Sequence, residues 1–182
     1  ACSVCRGQLL DMRSFARGET RLAEELSADT LVQALASALE GLKLPAGVSV
    51  ELSDQVNSAA LMCNRDALVG ACTNLVNNSV EAGATNVEVA VVSVDEELVV
   101  RVSDNGPGFT TEQASQLLEA FYTTKSHGTG LGLAVVQAVV KAHQGRFSID
   151  APAAGGAVAI ISLPLMRSLS TGDRRQQPSK ND

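Results

Sequence analysis

The segments DNGPGF at Asp104–Phe109 and GTGLGL at Gly128–Leu133 bracket the stretch that decides the fold. An apolar strand-like run, LVVRVS (Leu98–Ser103), feeds into Asp104, and an apolar helical run, LAVVQAVVKAH (Leu133–His143), follows the second glycine cluster. Glycine suits turns that need positive φ or close backbone approach, and a helix start offers free N–H groups and the positive end of a dipole to phosphate. Two such turns around a loop-like connection predict a phosphate-binding pocket with a lid. Either cluster alone is a plain turn, so the prediction depends on a third element that supplies a metal ligand.

The rest of the chain bounds the search. At 182 residues, 45% hydrophobic and 19% charged, the sequence fits one globular core. A net charge of -6 argues against nucleic acid, which demands a basic face. No apolar run approaches the roughly 20 residues of a membrane span, and no signal peptide pattern is present, so the expectation is a cytoplasmic chain without membrane contact. Cys2 and Cys5 have C-x-x-C spacing but lack a second pair, so no zinc site is expected; Cys63 and Cys72 read as small core residues.

In chain order, residues 1–18 contain QLLDMRSFARGE, a short apolar helical pattern that cannot bury its face alone, and residues 19–26 read as a linker. From Ser27 or Asp29, both good N-caps, a helix places Leu31, Leu35 and Leu39 on one face and stops near Gly41. VSVEL (Val48–Leu52) and ALMC (Ala60–Cys63) read as strands. After Gly83, NVEVAVV alternates outward Glu with inward valines, and LVVRVS returns as its antiparallel partner. A weak helical pattern, EQASQLLEAF, lies in the lid stretch Thr110–Lys125. The helix after Gly132 ends at His143, placed to complement the carbonyl end of its dipole, and RFSID and GAVAIISLP supply two final strands. Residues 166–182 are polar and read as a disordered tail.

The third element is the helix opened by Asp66 and closed by Gly83. Its apolar face carries Leu68, Cys72 and Leu75, while Asn74, Asn77, Asn78 and Glu81 recur on the other side. A solvated face usually draws Lys and Glu, whereas a row of amides implies partly buried groups that need partners. Mg²⁺ keeps several waters and takes only one or two protein oxygens plus phosphates, so one asparagine carbonyl suffices. The order of elements gives an α+β fold: a two-layer α/β sandwich with a mixed, mostly antiparallel sheet, about three helices on one face, and a lid.

These segments resemble, in family order, the four boxes of the catalytic, ATP-binding domain of bacterial two-component sensor histidine kinases. That family lies within the superfamily that also holds gyrase, the heat-shock chaperone ATPase and mismatch-repair ATPases, whose fold is called Bergerat-type. NLVNNSVEA (Asn74–Ala82) resembles the N box, DNGPGF the G1 box, FYTTK (Phe121–Lys125) the F box and GTGLGL the G2 box. GGAVAIISLP (Gly155–Pro164) resembles the closing strand, and the likeness covers residues 27–165 as one ATP-binding domain.

The resemblance implies ATP and Mg²⁺ as ligands. Asp104 would accept a hydrogen bond from the adenine amine, and Gly106, Gly108 and Phe109 would turn the chain into the lid. Asn78 would hold Mg²⁺ and Asn74 would line the same site. Lys125 would reach a terminal phosphate, next to Thr124. Gly128, Thr129, Gly130, Leu131, Gly132 and Leu133 would hold phosphate oxygens at the helix start. Phe121 is either a ligand contact or a lid anchor in the core. In hydrolytic members a Glu four residues before the metal-binding Asn activates water; Asn74 stands there, and a neutral amide is no general base near pH 7, which favours phosphoryl transfer.

The family's phosphoacceptor lies in an H-E-x-R-x-P-like segment of a dimerising hairpin, and this sequence carries none. His127 and His143 stand in other contexts. Residues 1–18 resemble the end of that hairpin's second helix, which implies a fragment, monomeric by itself, whose partners are the hairpin and, through it, a response regulator. NSVEA and SFARGE are similar to nitrogen- or flagellar-regulatory kinases. A sigma-factor-binding serine kinase and a non-catalytic nucleotide-gated interaction module remain open as alternatives.

Overall fold

The computed structural model describes residues 23–117, 130–153 and 155–166. Its elements are β1 (Glu24–Ser27), α1 (Ala28–Glu40), β2 (Ser49–Gln55), β3 (Ala60–Cys63), α2 (Arg65–Glu81), β4 (Asn86–Val94), β5 (Glu97–Asp104), α3 (Thr111–Leu117), α4 (Gly132–Ala142), β6 (Arg146–Asp150) and β7 (Val158–Pro164). Residues 1–18, the F box and the tail beyond Met166 lie outside the described residues.

Local chemistry sets the helix ends. Ser27 caps α1 by accepting the Thr30 N–H at 3.2 Å, one of the two starts the sequence offers. The start of α2 falls earlier than the expected Asp66: the Asn64 side chain accepts the Ala67 N–H at 3.0 Å, and Asp66 sits in the first turn, where its charge complements the dipole. Both residue types cap helices, so only the hydrogen bond distinguishes them. At the far end Gly83 takes φ 98, the left-handed conformation that stops the helix. A capping box, undetected in the sequence, opens α3. Thr110 Oγ1 accepts the Gln113 N–H at 3.3 Å while Gln113 Oε1 accepts the Thr110 N–H at 2.8 Å.

Five strands form a mixed sheet in the order β2-β4-β5-β7-β6. β2 runs parallel to β4, which requires a crossover, and α2 supplies it. The remaining pairs are antiparallel, with Val91 opposite Val100, Val100 opposite Ile161 and Ile161 opposite Phe147. Inward side chains of β4 and β5, including Val87, Val89, Leu98 and Val100, meet Leu31 and Leu35 of α1, Leu68, Leu75 and Val76 of α2, and Val136 and Val140 of α4 in one core. Fully burying each such side chain contributes about 1.5–3 kcal/mol. α2 packs against both α1 and α4, so its other faces are fixed by its neighbours. Among the described residues the expected α/β sandwich, with helices on one face, is what forms.

One feature departs from the sequence reading. The last residues of the segment read as a linker form β1, which pairs with β3 as a separate two-stranded sheet, Glu25 opposite Met62. EELS lacks an apolar alternation, so only its partner, far along the chain, makes it a strand. Between α1, α2 and the sheet, a gap lined by Leu35, Cys72, Val91 and Val100 encloses about 10 Å³. It is apolar and no larger than one water, a packing gap rather than a binding site. No helix among the described residues is long and apolar enough to cross a membrane.

Candidate functional site

Two clusters of predicted site residues meet on opposite sides of the same turn of α2. On one side, Asn74 Nδ2 donates to the Gly132 carbonyl oxygen at 2.9 Å. A Cβ on Gly132 would lie 3.2 Å from Asn74 Oδ1 and 3.3 Å from Asn78 Nδ2, so the glycine lets the start of α4 close onto both amides. Leu131, the N-cap of α4, provides no side-chain cap, and no acidic residue lies in the first turn. The first N–H groups of α4, those of Gly132 and Leu133, have no intrahelical partner, and the helix start that carries them lies beside the two asparagines. Gly130, with φ 66, supplies the left-handed turn that leads in.

On the other side lies Asp104, at the end of β5. Its Oδ1 accepts the N–H of Gly106 at 2.9 Å and of Ala157 at 3.1 Å; its Oδ2 accepts the Ser79 hydroxyl at 2.6 Å. Asn105 braces the same turn, its Oδ1 accepting the N–H groups of Thr85 and Asn86, each at 2.9 Å. Gly108 has φ 68 and a Cβ there would stand 2.5 Å from the Gly156 carbonyl oxygen. Gly156, also at positive φ, donates to the Gly106 carbonyl oxygen at 3.1 Å, and its absent Cβ leaves room for the Asp104 backbone. Phe109, half-buried, follows this lock.

Sequence reasoning missed three of these participants. Ser79, given no role by the sequence reading, is 8% exposed. Gly156 read only as the first residue of the closing strand; its pairing with Gly155 was the available signal. Ala157 acts through its backbone and leaves no trace in residue type. Phe121, Thr124, Lys125, Gly128 and Thr129 lie outside the described residues, so the structure joins Asn74, Asn78, Gly130, Leu131, Gly132 and Leu133 on one side and Asp104, Gly106, Gly108 and Phe109 on the other.

His143 stands where expected, at the carbonyl end of α4. Its Nδ1 lies 2.7 Å from the Val139 carbonyl oxygen and its Nε2 is 2.8 Å from the Asn64 N–H. A carbonyl can only accept and an N–H can only donate, so the ring is neutral with its proton on Nδ1. The residue caps α4 and ties its end to the start of α2.

The cysteines of the described core are inert. Burial pushes the Cys72 thiol up to about 12, and burial with the nearby Glu24 charge pushes Cys63 up to about 11, against a smaller opposing effect of Arg65. Neither forms a thiolate near neutrality. Cys2 and Cys5 lie outside the described residues.

Comparison with known proteins points the same way. Residues 63–167 match the histidine kinase-, DNA gyrase B- and HSP90-like ATPase family. The chain is 39% identical over 161 residues to the sensor protein kinase FleS of Pseudomonas aeruginosa, covering 87% of this chain and 40% of that protein. It is 38% identical over 103 residues to the nitrogen regulation protein NtrY of Azorhizobium caulinodans, covering 51% of this chain and 13% of that protein. The chain thus spans less than half the length of these relatives. The fold is similar to that of the catalytic domain of histidine kinase ThkA, with a TM-score of 0.67 at 21% identity over 78% of this chain and 95% of that one.

Proposed function

This chain belongs to the histidine kinase-, DNA gyrase B- and HSP90-like ATPase family, and from that premise we propose that it binds ATP with Mg²⁺ and transfers the γ-phosphoryl group to a histidine on a dimerisation hairpin outside this chain, within two-component signalling. The observation that carries the reading is that Asn78 and Ser79, adjacent in α2, serve the two halves of one pocket: Asn78 lies beside Gly132 at the α4 N-terminus, and Ser79 holds Asp104. A nucleotide needs both, an acceptor for its base and a positive helix end for its phosphates.

Asp104 accepts the 6-amino group of adenine. The N–H groups at Gly130, Gly132 and Leu133, with Gly128 and Thr129 before them, bind phosphate oxygens, and Lys125 with Thr124 faces the terminal phosphate. Phe109 leads into the lid, and Phe121 serves either as a ligand contact or as a lid anchor. The donor set suits Mg²⁺: among the described residues no donor occupies the side-chain oxygen of half-buried Asn78, and one amide oxygen with phosphates and water completes such a shell. Mg²⁺, once held there, would neutralise charge on the β- and γ-phosphates.

Transfer rather than hydrolysis is supported by Asn74. Its amide is engaged on the Gly132 carbonyl and has no basic lone pair with which to activate water. The bond from γ-phosphorus to the β,γ-bridging oxygen then breaks as an acceptor imidazole nitrogen bonds to phosphorus, releasing ADP. The partners are that hairpin and, through it, a response regulator; the branch is the nitrogen- or flagellar-regulatory one, and the similarity to the nitrogen regulation protein NtrY supports the first of these. The test is ATP titration with and without Mg²⁺, followed by addition of a dimeric hairpin bearing the acceptor histidine. Asn78→Ala should remove the Mg²⁺ dependence, and label should appear on the hairpin in acid-labile form. Acid-stable label would indicate a serine kinase, and binding without transfer a nucleotide-gated module.

A further inference from the structure

Ser79 is the buried polar residue of the described core, 8% exposed in the middle of α2. A serine inside a helix commonly satisfies its hydroxyl on the carbonyl one turn back. Ser79 instead reaches across to β5 and donates to Asp104 Oδ2 at 2.6 Å. The contact joins residues 25 apart and is the shortest of the three hydrogen bonds on that carboxylate.

An ionised carboxylate has about four acceptor positions. Oδ1 spends two on the N–H groups of Gly106 and Ala157, and Oδ2 spends one on Ser79. One lone pair on Oδ2 remains, on a side chain that is half-exposed and held on three sides. The same hydrogen bond fixes the direction of the Ser79 proton. With that proton committed to Oδ2, the hydroxyl offers nothing to a 6-oxo purine, which would need a donor where adenine needs an acceptor.

We propose that Ser79 is a specificity-determining positioning residue, which leaves Asp104 a single oriented acceptor for the 6-amino group of adenine and withholds a donor from 6-oxo purines. The inference rests on Asp104 as the adenine acceptor. It assigns to the N-box helix a part in base selection as well as in phosphate and metal binding.

The test compares ATP with ITP, its 6-oxo counterpart, by titration of the 182-residue chain and its Ser79→Ala, Ser79→Thr, Asp104→Asn and Ser79→Ala/Asp104→Asn variants. Ser79→Ala should weaken ATP about three- to tenfold, the loss of one well-placed hydrogen bond, with ITP little changed, so the ATP preference narrows by that factor. Ser79→Thr keeps the hydroxyl and should restore the preference. In the Asp104→Asn background Ser79→Ala should narrow it no further. Thermal melts accompany each variant, since a merely structural serine would lower the melting temperature and weaken both nucleotides alike. If Asp104→Asn removes the ATP preference while Ser79→Ala retains it, the role of Ser79 is refuted and the adenine site stands. If Asp104→Asn itself leaves the preference intact, the adenine site is misassigned and the inference falls with it.

Discussion

The side-chain amide of Asn74 donates to the carbonyl oxygen of Gly132 at 2.9 Å, joining the helix of the N box to the helix of the G2 box across 58 residues of sequence. The bond fixes the start of α4 against α2 at the end of the site proposed for phosphate. It also explains why a glycine opens α4, since a Cβ there would crowd both Asn74 and Asn78.

Gly132→Ala should therefore act on binding more than on folding. Alanine is the better helix former by about 1 kcal/mol, which offsets part of the crowding. The neighbouring amides would have to give by a few tenths of an ångström, and they are the groups proposed to face Mg²⁺ and phosphate. We expect ATP affinity to fall about tenfold, with the urea midpoint shifted little. A variant that binds ATP like the parent would separate the glycine from the site.

How much of this was legible in the sequence follows from how local each feature is. Ser27, the valines of β4, the hairpin of β4 and β5, and Gly83 are set by neighbours in the chain, and they were readable. β1 was not, because EELS becomes a strand only by pairing with β3. The site divides in the same way. Asp104 and Asn78 announce themselves by motif, whereas Ser79, Gly156 and the Ala157 N–H acquire their roles through contacts 25 to 53 residues away. His143 was readable as complementing the carbonyl end of its helix, and it does so through Val139, but its tie to Asn64, 79 residues distant, was not.

Gly156→Ala should be the most damaging small substitution in the described domain. Its φ of 83 strains any L side chain, and an added Cβ would collide with the Asp104 backbone, which a rigid strand end cannot yield. The N–H of neighbouring Ala157 on Asp104 Oδ1 would be displaced as well. A loss of about 3 kcal/mol or more is expected in urea denaturation, with any residual folded protein binding ATP poorly. Gly155 is also at positive φ but faces open space, so Gly155→Ala should cost less, about 1 kcal/mol.

The buried thiols predict an alkaline limb. Burial pushes Cys72 up to about 12 in the folded chain, while an unfolded thiol titrates near 8.5. Below the unfolded value both states hold the proton and its contribution to stability is fully present. As pH rises towards the folded value the unfolded state ionises first, so stability falls by up to about 1.4 kcal/mol per pH unit for this group. Cys72→Ala removes this group's share of the limb and leaves that of Cys63. Plotting unfolding free energy from pH 8 to pH 11, the parent curve should drop more steeply than the variant curve; parallel curves would rule the thiol out.

His143→Ala tests whether the helix ends are tied by the neutral imidazole. The change removes the acceptor of the Asn64 N–H and the donor to the Val139 carbonyl oxygen at once. A half-buried N–H left without a partner costs about 1–3 kcal/mol, and Asn64 also caps α2, so the loss falls where that helix begins. The urea midpoint should drop accordingly, and hydrogen exchange at the Asn64 amide should accelerate well beyond that at the centre of α2. The proposed nucleotide pocket lies at the opposite end of α4, so ATP affinity in the folded variant should stay within about twofold of the parent, since sites so separated contribute nearly independently. A variant with parental exchange at Asn64 would mean that water replaces the ring without cost, and that the contact between the two helix ends contributes nothing to holding them together.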